Sequence, residues 1–384
     1  MKKLRFIGMD VHARTVDVAV AEQGDTPPEF YGTMPSDTSR LIKRLKELGR
    51  GYRLKVCYEA GPTGFALHRA LTDVGIDCVV VAPSCVPDTK GGVMKTDKRD
   101  ALRLARFLRS GDLVAIHVPD GQTEAMRDLS RAREDAYHAV QAARQQLGGF
   151  LLRHGRRYPG RHHGTQAHLT WARQQTFDHE AQRRVLARYI AAYDSAVERE
   201  KELTRDIGDL LPEWVLEPVV RALMAFRGID MISAVMIVAE IGDFARFPEM
   251  PRFSSYLGMT PGEDSTGDDK RRRRVTRAGN AHIRRVLVEA SWNYRYRTLS
   301  AAIRKRGAGT VEPVRLIAQK AQDRLSKRYF KLLARGKEKN KVAMAIGREL
   351  SCFICSAANH PEVQKLVQER RKQQHPAAEA RSEV

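Results

Sequence analysis

Asp97 and Asp100 stand three residues apart in Lys95-Thr96-Asp97-Lys98-Arg99-Asp100-Ala101. The recurrence of Ala101, Leu104, Ala105 and Leu108 predicts an amphipathic helix from Asp97 onward. Thr96 suits its N-cap, and an acid in the first turn suits the helix dipole. The two carboxylates then share a face, their Cβ atoms about 5–6 Å apart, and repel unless a cation lies between them. An acidic first turn on a solvated helix is the plain alternative. Two further acids bear on the choice: Asp10 closes the apolar run Leu4–Met9, and Glu59 closes Leu54–Tyr58. Four carboxylates gathered at one end of a sheet would be a poor arrangement without cations. With no cysteine or histidine in the set, the expected ion is hard, Mg²⁺. Two such ions, about 3.5–4 Å apart, would polarise a phosphate and stabilise its attacking and leaving oxygens. The chemistry predicted is that of the phosphodiester bond.

A second constellation is Ser265, in a polar loop bounded by Gly262 and Gly267 and followed by Lys270, Arg271, Arg272, Arg273 and Arg274. A serine hydroxyl is a weak nucleophile until a base or metal activates it. Attack on a DNA phosphate would give a phosphoserine link that keeps the ester, so strands could be rejoined without ATP. The arginines would neutralise the charge that develops. A serine in such a loop is also an ordinary turn residue.

The elements that must position these groups follow from the pattern of residues. Strands are expected at Leu4–Met9, Thr15–Ala21, Phe30–Met34, Leu54–Tyr58 and Asp77–Ala82. Helices are expected from Ser36 or Asp37 to Leu48, over Gly64–Val74 and from Asp97. Three strands, helix, strand, helix, strand, helix is the ribonuclease H-like α/β order over residues 1–120. In it the first and fourth strands are neighbours, so Asp10 and Glu59 can approach each other. Residues 121–211 predict a helical coiled-coil arm, with long runs at Thr123–Leu152 and Glu180–Leu210 and a solvated basic loop carrying His154, His162 and His163. Residues 212–300 form a mainly helical domain whose segment Ala222–Met250 reads equally as a helix-hairpin-helix offering amides to a phosphodiester or as an ordinary αα-hairpin. A basic helical extension over 301–363 and a disordered tail over 364–384 complete the chain.

Composition narrows the partners. Across 384 residues, 67 Lys+Arg against 46 Asp+Glu leave a net charge of +21, an excess that suits a polyanion, above all nucleic acid. No apolar run reaches membrane-spanning length. The start Met1-Lys2-Lys3-Leu4 is too charged for a signal peptide, and five cysteines without a framework suit a reducing cytoplasm. Cys352 and Cys355 have CxxC spacing but no second pair, and read as helix packing.

Gly8-Met9-Asp10-Val11-His12, Tyr58-Glu59-Ala60-Gly61-Pro62-Thr63-Gly64 and Lys95–Ala101 resemble the DEDD signature of a family of insertion-sequence transposases. Arg227-Gly228-Ile229, Tyr256–Pro261, Ser265-Thr266-Gly267 and Thr276-Arg277-Ala278-Gly279-Asn280 resemble the same family's second domain in order and spacing. The similarity runs from Asp10 to about Ile354. It implies a RuvC-like N-terminal domain, a serine-bearing C-terminal transposase domain, and recombination through covalent serine–DNA intermediates. It further implies a homo-dimer or tetramer in which one protomer's acids complete another's serine site. Some relatives are guided to donor and target DNA by a structured bridge RNA. By position, Asp10, Glu59, Asp97 and Asp100 carry over as the metal site and Ser265 as the nucleophile, with Thr266 as the alternative hydroxyl. Lys270–Arg274, Arg277, Arg284 and Arg285 are the expected nucleic-acid contacts. A junction endonuclease using water, and a scaffold that only binds nucleic acid, are the competing readings.

Overall fold

The computed structural model describes residues 2–86, 96–266, 269–276 and 278–374, with backbone alone at residue 85 and residues 263–273. The chain divides into two units, Met1–Val118 and Pro119–Val384.

The first unit contains β1 (Lys3–Val11), β2 (Thr15–Glu22), β3 (Glu29–Pro35), α1 (Thr38–Leu48), β4 (Tyr52–Glu59), α2 (Ala66–Asp73), β5 (Asp77–Val81) and α3 (Asp97–Ser110). The sheet order is β3-β2-β1-β4-β5. β1 runs antiparallel to β2 and parallel to β4, with Met9 opposite Tyr58. This is the predicted order, with the first and fourth strands side by side. Strand alternation sorts the two faces. Ile7, Met9, Val56 and Tyr58 pack with Leu41 and Leu45 of α1 and Leu67 and Leu71 of α2. Phe6 and Cys57 pack with Ala101, Leu104, Ala105 and Leu108 of α3. The α3 backbone lies so close to β1 that a Cβ on Gly8 would fall 2.3 Å from Ala101 O and Ala105 N. Only glycine admits that approach. Asp10 shares the parity of Gly8 and Glu59 that of Cys57, so both acids belong to the face that α3 covers.

The second unit opens with α4 (Gly121–Arg153), α5 (Gln166–Arg173) and α6 (Glu180–Leu210). α4 and α6 pair with each other antiparallel: Arg133 meets Glu200, and the Phe150 and Tyr189 rings lie 5.6 Å apart. The loop after α4 is largely exposed, His162 and His163 included, while His154 at the end of the helix lies 4.9 Å from Phe150 and 5.2 Å from Phe177. Then come α7 (Glu217–Met224), α8 (Met231–Ile241), α9 (Met250–Tyr256), β6 (Pro261–Thr266), β7 (Asp269–Val275), α10 (Ala281–Ser291), α11 (Ala301–Gly307), α12 (Glu312–Ala334), α13 (Lys339–Ala358) and α14 (Pro361–Gln374). One core joins Trp214, Phe226, Phe253, Leu287, Tyr294 and Leu350. The α7–α8 turn packs inward: a Cβ on Gly228 would lie 2.7 Å from Ala290 O, and the buried Arg227 bonds Gln322 Oε1 at 2.8 Å.

Two expectations are corrected. The polar stretch from Pro261 forms the β6–β7 hairpin rather than a loop. Its register sets Glu263 opposite Arg272 and Asp264 opposite Arg271. Residues 364–374, expected to begin a disordered tail, lie in α14, where Val363 and Val367 are buried and Arg370 Nη2 is 3.0 Å from Glu217 Oε2. The rest of that tail, 375–384, lies outside the described residues. Cys355 is buried in α13, in keeping with helix packing. Among the described residues no helix is long and apolar enough to cross a membrane.

Candidate functional site

Asp10 stands near the end of β1, Glu59 at the end of β4, and Asp97 and Asp100 on the first turn of α3. The local reasons match the sequence: Thr96 caps α3, its side chain accepting from Arg99 N, and Gly111 closes it in the left-handed conformation. The four acids meet at one end of the sheet in two groups. Asp10, His12 and Asp97 each bring a ligand atom within 4.8 Å of the others. His12 Nε2 lies 3.3 Å from Asp10 Oδ2 and 3.5 Å from Asp97 Oδ2. Arg103 Nη2 lies 3.3 Å from both Glu59 Oε1 and Asp100 Oδ1. Its Nε is buried with no hydrogen-bond partner among the described residues.

The electrostatics leave the first group short of positive charge. Burial pushes Asp10 above the usual carboxylate range; His12 pulls it down, while Asp100 and Asp97 push it up, and the net shift is upward. A divalent cation would reverse that balance. Carboxylates from one strand and one helix, Asp10 and Asp97, plus the His12 imidazole, are a donor set that fits such an ion. Arg103 stands between Glu59 and Asp100, where a second cation had been expected.

The absence of histidine expected for this set is corrected by His12. It follows Asp10 by two residues, the spacing that repeats on one face of an extended chain, and that was the signal available. Asp17 was also missed: it sits opposite Asp10 across the β1–β2 pair, is buried, and accepts a hydrogen bond from Thr33 Oγ1. Arg103 carried no signal beyond being one of many cations.

In the second unit the β6–β7 hairpin is fixed at its root. Thr276 N donates to Thr260 O at 3.0 Å. Gly258 and Gly279 both have left-handed backbones, and a Cβ on either would fall within 2.0 Å of a carbonyl oxygen across the junction, Ala278 O and Tyr256 O respectively. These two glycines are structural parts of that junction. Asn280 is another: it caps α10 by accepting from Ile283 N, and its Nδ2 donates to Glu240 Oε2 at 2.7 Å. Ser265 lies on β6 opposite Lys270. Its side chain, and those of Lys270, Arg271, Arg272 and Arg273, lie outside the described residues, as does Arg277 entirely. Arg274 is exposed on β7. Arg284 donates to Leu257 O at 2.9 Å, and Arg285 pairs with Glu134 and with Glu289 at 3.2 Å. Those two guanidiniums are engaged by the protein itself.

Comparison with known proteins gives two family matches. One, described as Transposase IS116/IS110/IS902 family, covers residues 220–306. The other, described as Transposase and of the DEDD type, covers residues 7–155. The chain is 40% identical to a putative transposase, y4qE, of Sinorhizobium fredii, over 92% of this chain and 88% of that one. It is 29% identical to the transposase for insertion sequence element IS1533 of Leptospira borgpetersenii, over 88% and 99%. It is 22% identical to the transposase for insertion sequence element IS1111A of Coxiella burnetii, over 76% and 78%.

Proposed function

The chain belongs to the IS116/IS110/IS902 family of transposases, and we propose that it excises and inserts its element by Mg²⁺-assisted phosphodiester transfer through a covalent link between Ser265 and DNA. The meeting of Asp10, Glu59, Asp97 and Asp100 at one end of the sheet is the observation that carries this reading. Asp10, Asp97 and His12 would hold one divalent ion. Glu59 and Asp100 become available to a second when Arg103 turns aside. Such ions, when bound, neutralise charge on the phosphate oxygens.

The Ser265 hydroxyl oxygen forms a bond to phosphorus as one phosphorus–deoxyribose oxygen bond breaks. The serine proton is lost and the departing oxygen gains one, so the number of ester bonds is unchanged and the step is reversible. Lys270–Arg274 and Arg277 neutralise the strand beside it. Thr266 is the alternative hydroxyl. The acids of one protomer completing the hairpin of another, in a dimer or tetramer, and a structured RNA pairing with donor and target DNA, belong to the same proposal.

Trapping protein–DNA adducts on element ends separates this from hydrolysis by water. Ser265→Ala is expected to abolish adducts while DNA binding persists. Adducts that survive in Ser265→Ala and vanish in Thr266→Ala move the nucleophile by one residue. Cleavage that continues in Ser265→Ala without any adduct replaces the recombinase with a metal-dependent endonuclease.

A further inference from the structure

The C-terminal end of α4, the basic loop after it and α5 enclose a cleft of about 500 Å³, inside the roughly 300–1,000 Å³ range of ligand sites. Rings form one wall. The Tyr158 ring centroid lies 4.9 Å from His168 and 5.4 Å from Trp171, and His163 lies 5.0 Å from His168. His168 is buried and its Nδ1 accepts from Gly164 N at 3.2 Å, so the neutral ring keeps its hydrogen on Nε2. Arg156 is tied to Thr176 O. Arg157 is exposed and makes no hydrogen bond or ion pair among the described residues. No carboxylate is among the described residues that line the cleft.

The floor is the less expected feature. Gly148 and Gly149 stand side by side within α4, where glycine is among the least stabilising residues. Neither has a left-handed backbone, and a Cβ on either would meet nothing within 4 Å. Neither steric crowding nor conformation requires them. What they do is leave bare backbone along the cleft that they line, which admits a ligand close to the helix.

A flat body for the rings and bare helix, joined to an anion for Arg157, describes a nucleotide. We propose that this cleft takes one unpaired nucleotide of a single nucleic-acid strand, its base against the Tyr158–Trp171 cluster and the Gly148–Gly149 surface, its phosphate toward Arg157. Ring platforms beside a basic path are how single strands are held without base pairing. RNA and DNA share this chemistry. The proposal involves neither the acidic end of the sheet nor Ser265.

The test uses the full chain in EDTA, so that phosphodiester transfer does not enter. Short single-stranded RNA and DNA carrying 2-aminopurine are titrated, with duplex DNA as control. Gly149→Leu fills the floor with a better helix former; Trp171→Leu removes a ring. The natural chain is expected to quench 2-aminopurine in at least one strand type, which identifies the source of the nucleotide. Each variant is expected to bind that strand about tenfold more weakly, with duplex affinity unchanged. Single-strand affinity and quenching equal to the natural chain in both variants would overturn the proposal. So would a parallel loss of duplex and single-strand binding, which marks general damage. A change in oligomeric mass of Gly149→Leu with single-strand affinity intact would also overturn it, and would make the cleft a contact between copies.

Discussion

Two groups of acids in this basic chain are treated oppositely. In the second unit, Glu240 on α8 is buried, and Arg131 Nε and Nη2 hold it at 2.7 and 3.1 Å while Asn280 adds a third bond at 2.7 Å. Glu134 on α4 is likewise buried between His282 and Arg285. Burial alone would raise both carboxyls, yet their bonded partners outweigh it and hold both below the ordinary range. At the edge of the first unit, Asp10 has one imidazole for support and two neighbouring aspartates against it, and is raised. Identical chemistry thus serves two ends. Acids whose partners are supplied by the chain join helices together; acids left short of cations form a place for an ion from outside.

Three experiments sharpen or break that contrast. The largest effect is expected at Asp10→Asn: strand exchange should fall by about 10³-fold or more. The fold should survive, since the substitution relieves repulsion, and Mg²⁺ should raise the melting temperature of the natural chain but not of the variant. Exchange at the natural rate, or a variant that melts early, would erase the distinction. Next is Glu240→Gln, which leaves Arg127 and Arg131 facing each other around a neutral group. It should cost about 3 kcal/mol in denaturant unfolding, and a cost near zero would make Glu240 no different from a surface acid. The smallest effect is in pH. The depressed carboxyls of Glu134 and Glu240 contribute stability that is fully present above their ordinary value of 4.5 and is lost as pH falls through their lower folded values. Thermal melts stepped down below that value should show the second unit weakening, less steeply in Glu134→Gln. A flat profile would contradict the assigned shifts.

Much of the first unit was legible because its signals are local or nearly so. The period of Ala101, Leu104, Ala105 and Leu108 gave α3, Thr96 gave its start, and strand lengths with helix order gave the neighbourhood of β1 and β4. The hairpin at Ser265 was not legible. Its strands, Pro261–Thr266 and Asp269–Val275, show no apolar alternation, and both are too polar to look buried. The continuation of α14 over 364–374 was missed for a similar reason: Val363, Leu366 and Val367 are a thin apolar stripe in a charged segment, and its value depends on a surface that the remote Trp214–Met224 region supplies. Arg284 and Arg285 also bond within the protein, to Leu257 O and to Glu134 and Glu289, and charge alone does not show which guanidiniums the fold engages.

The residue types and their order determined the chemistry that the acids could perform, the class of the first domain and the polyanionic character of the partner. Those depend on period, charge and chain order, which are present before folding. The tertiary structure decided which groups accompany the acids. His12 reaches Asp10 and Asp97, and Arg103 bridges Glu59 and Asp100, because Gly8 has no side chain to hold α3 away from β1. That closeness belongs to two backbones meeting in space, and separation along the chain does not encode it.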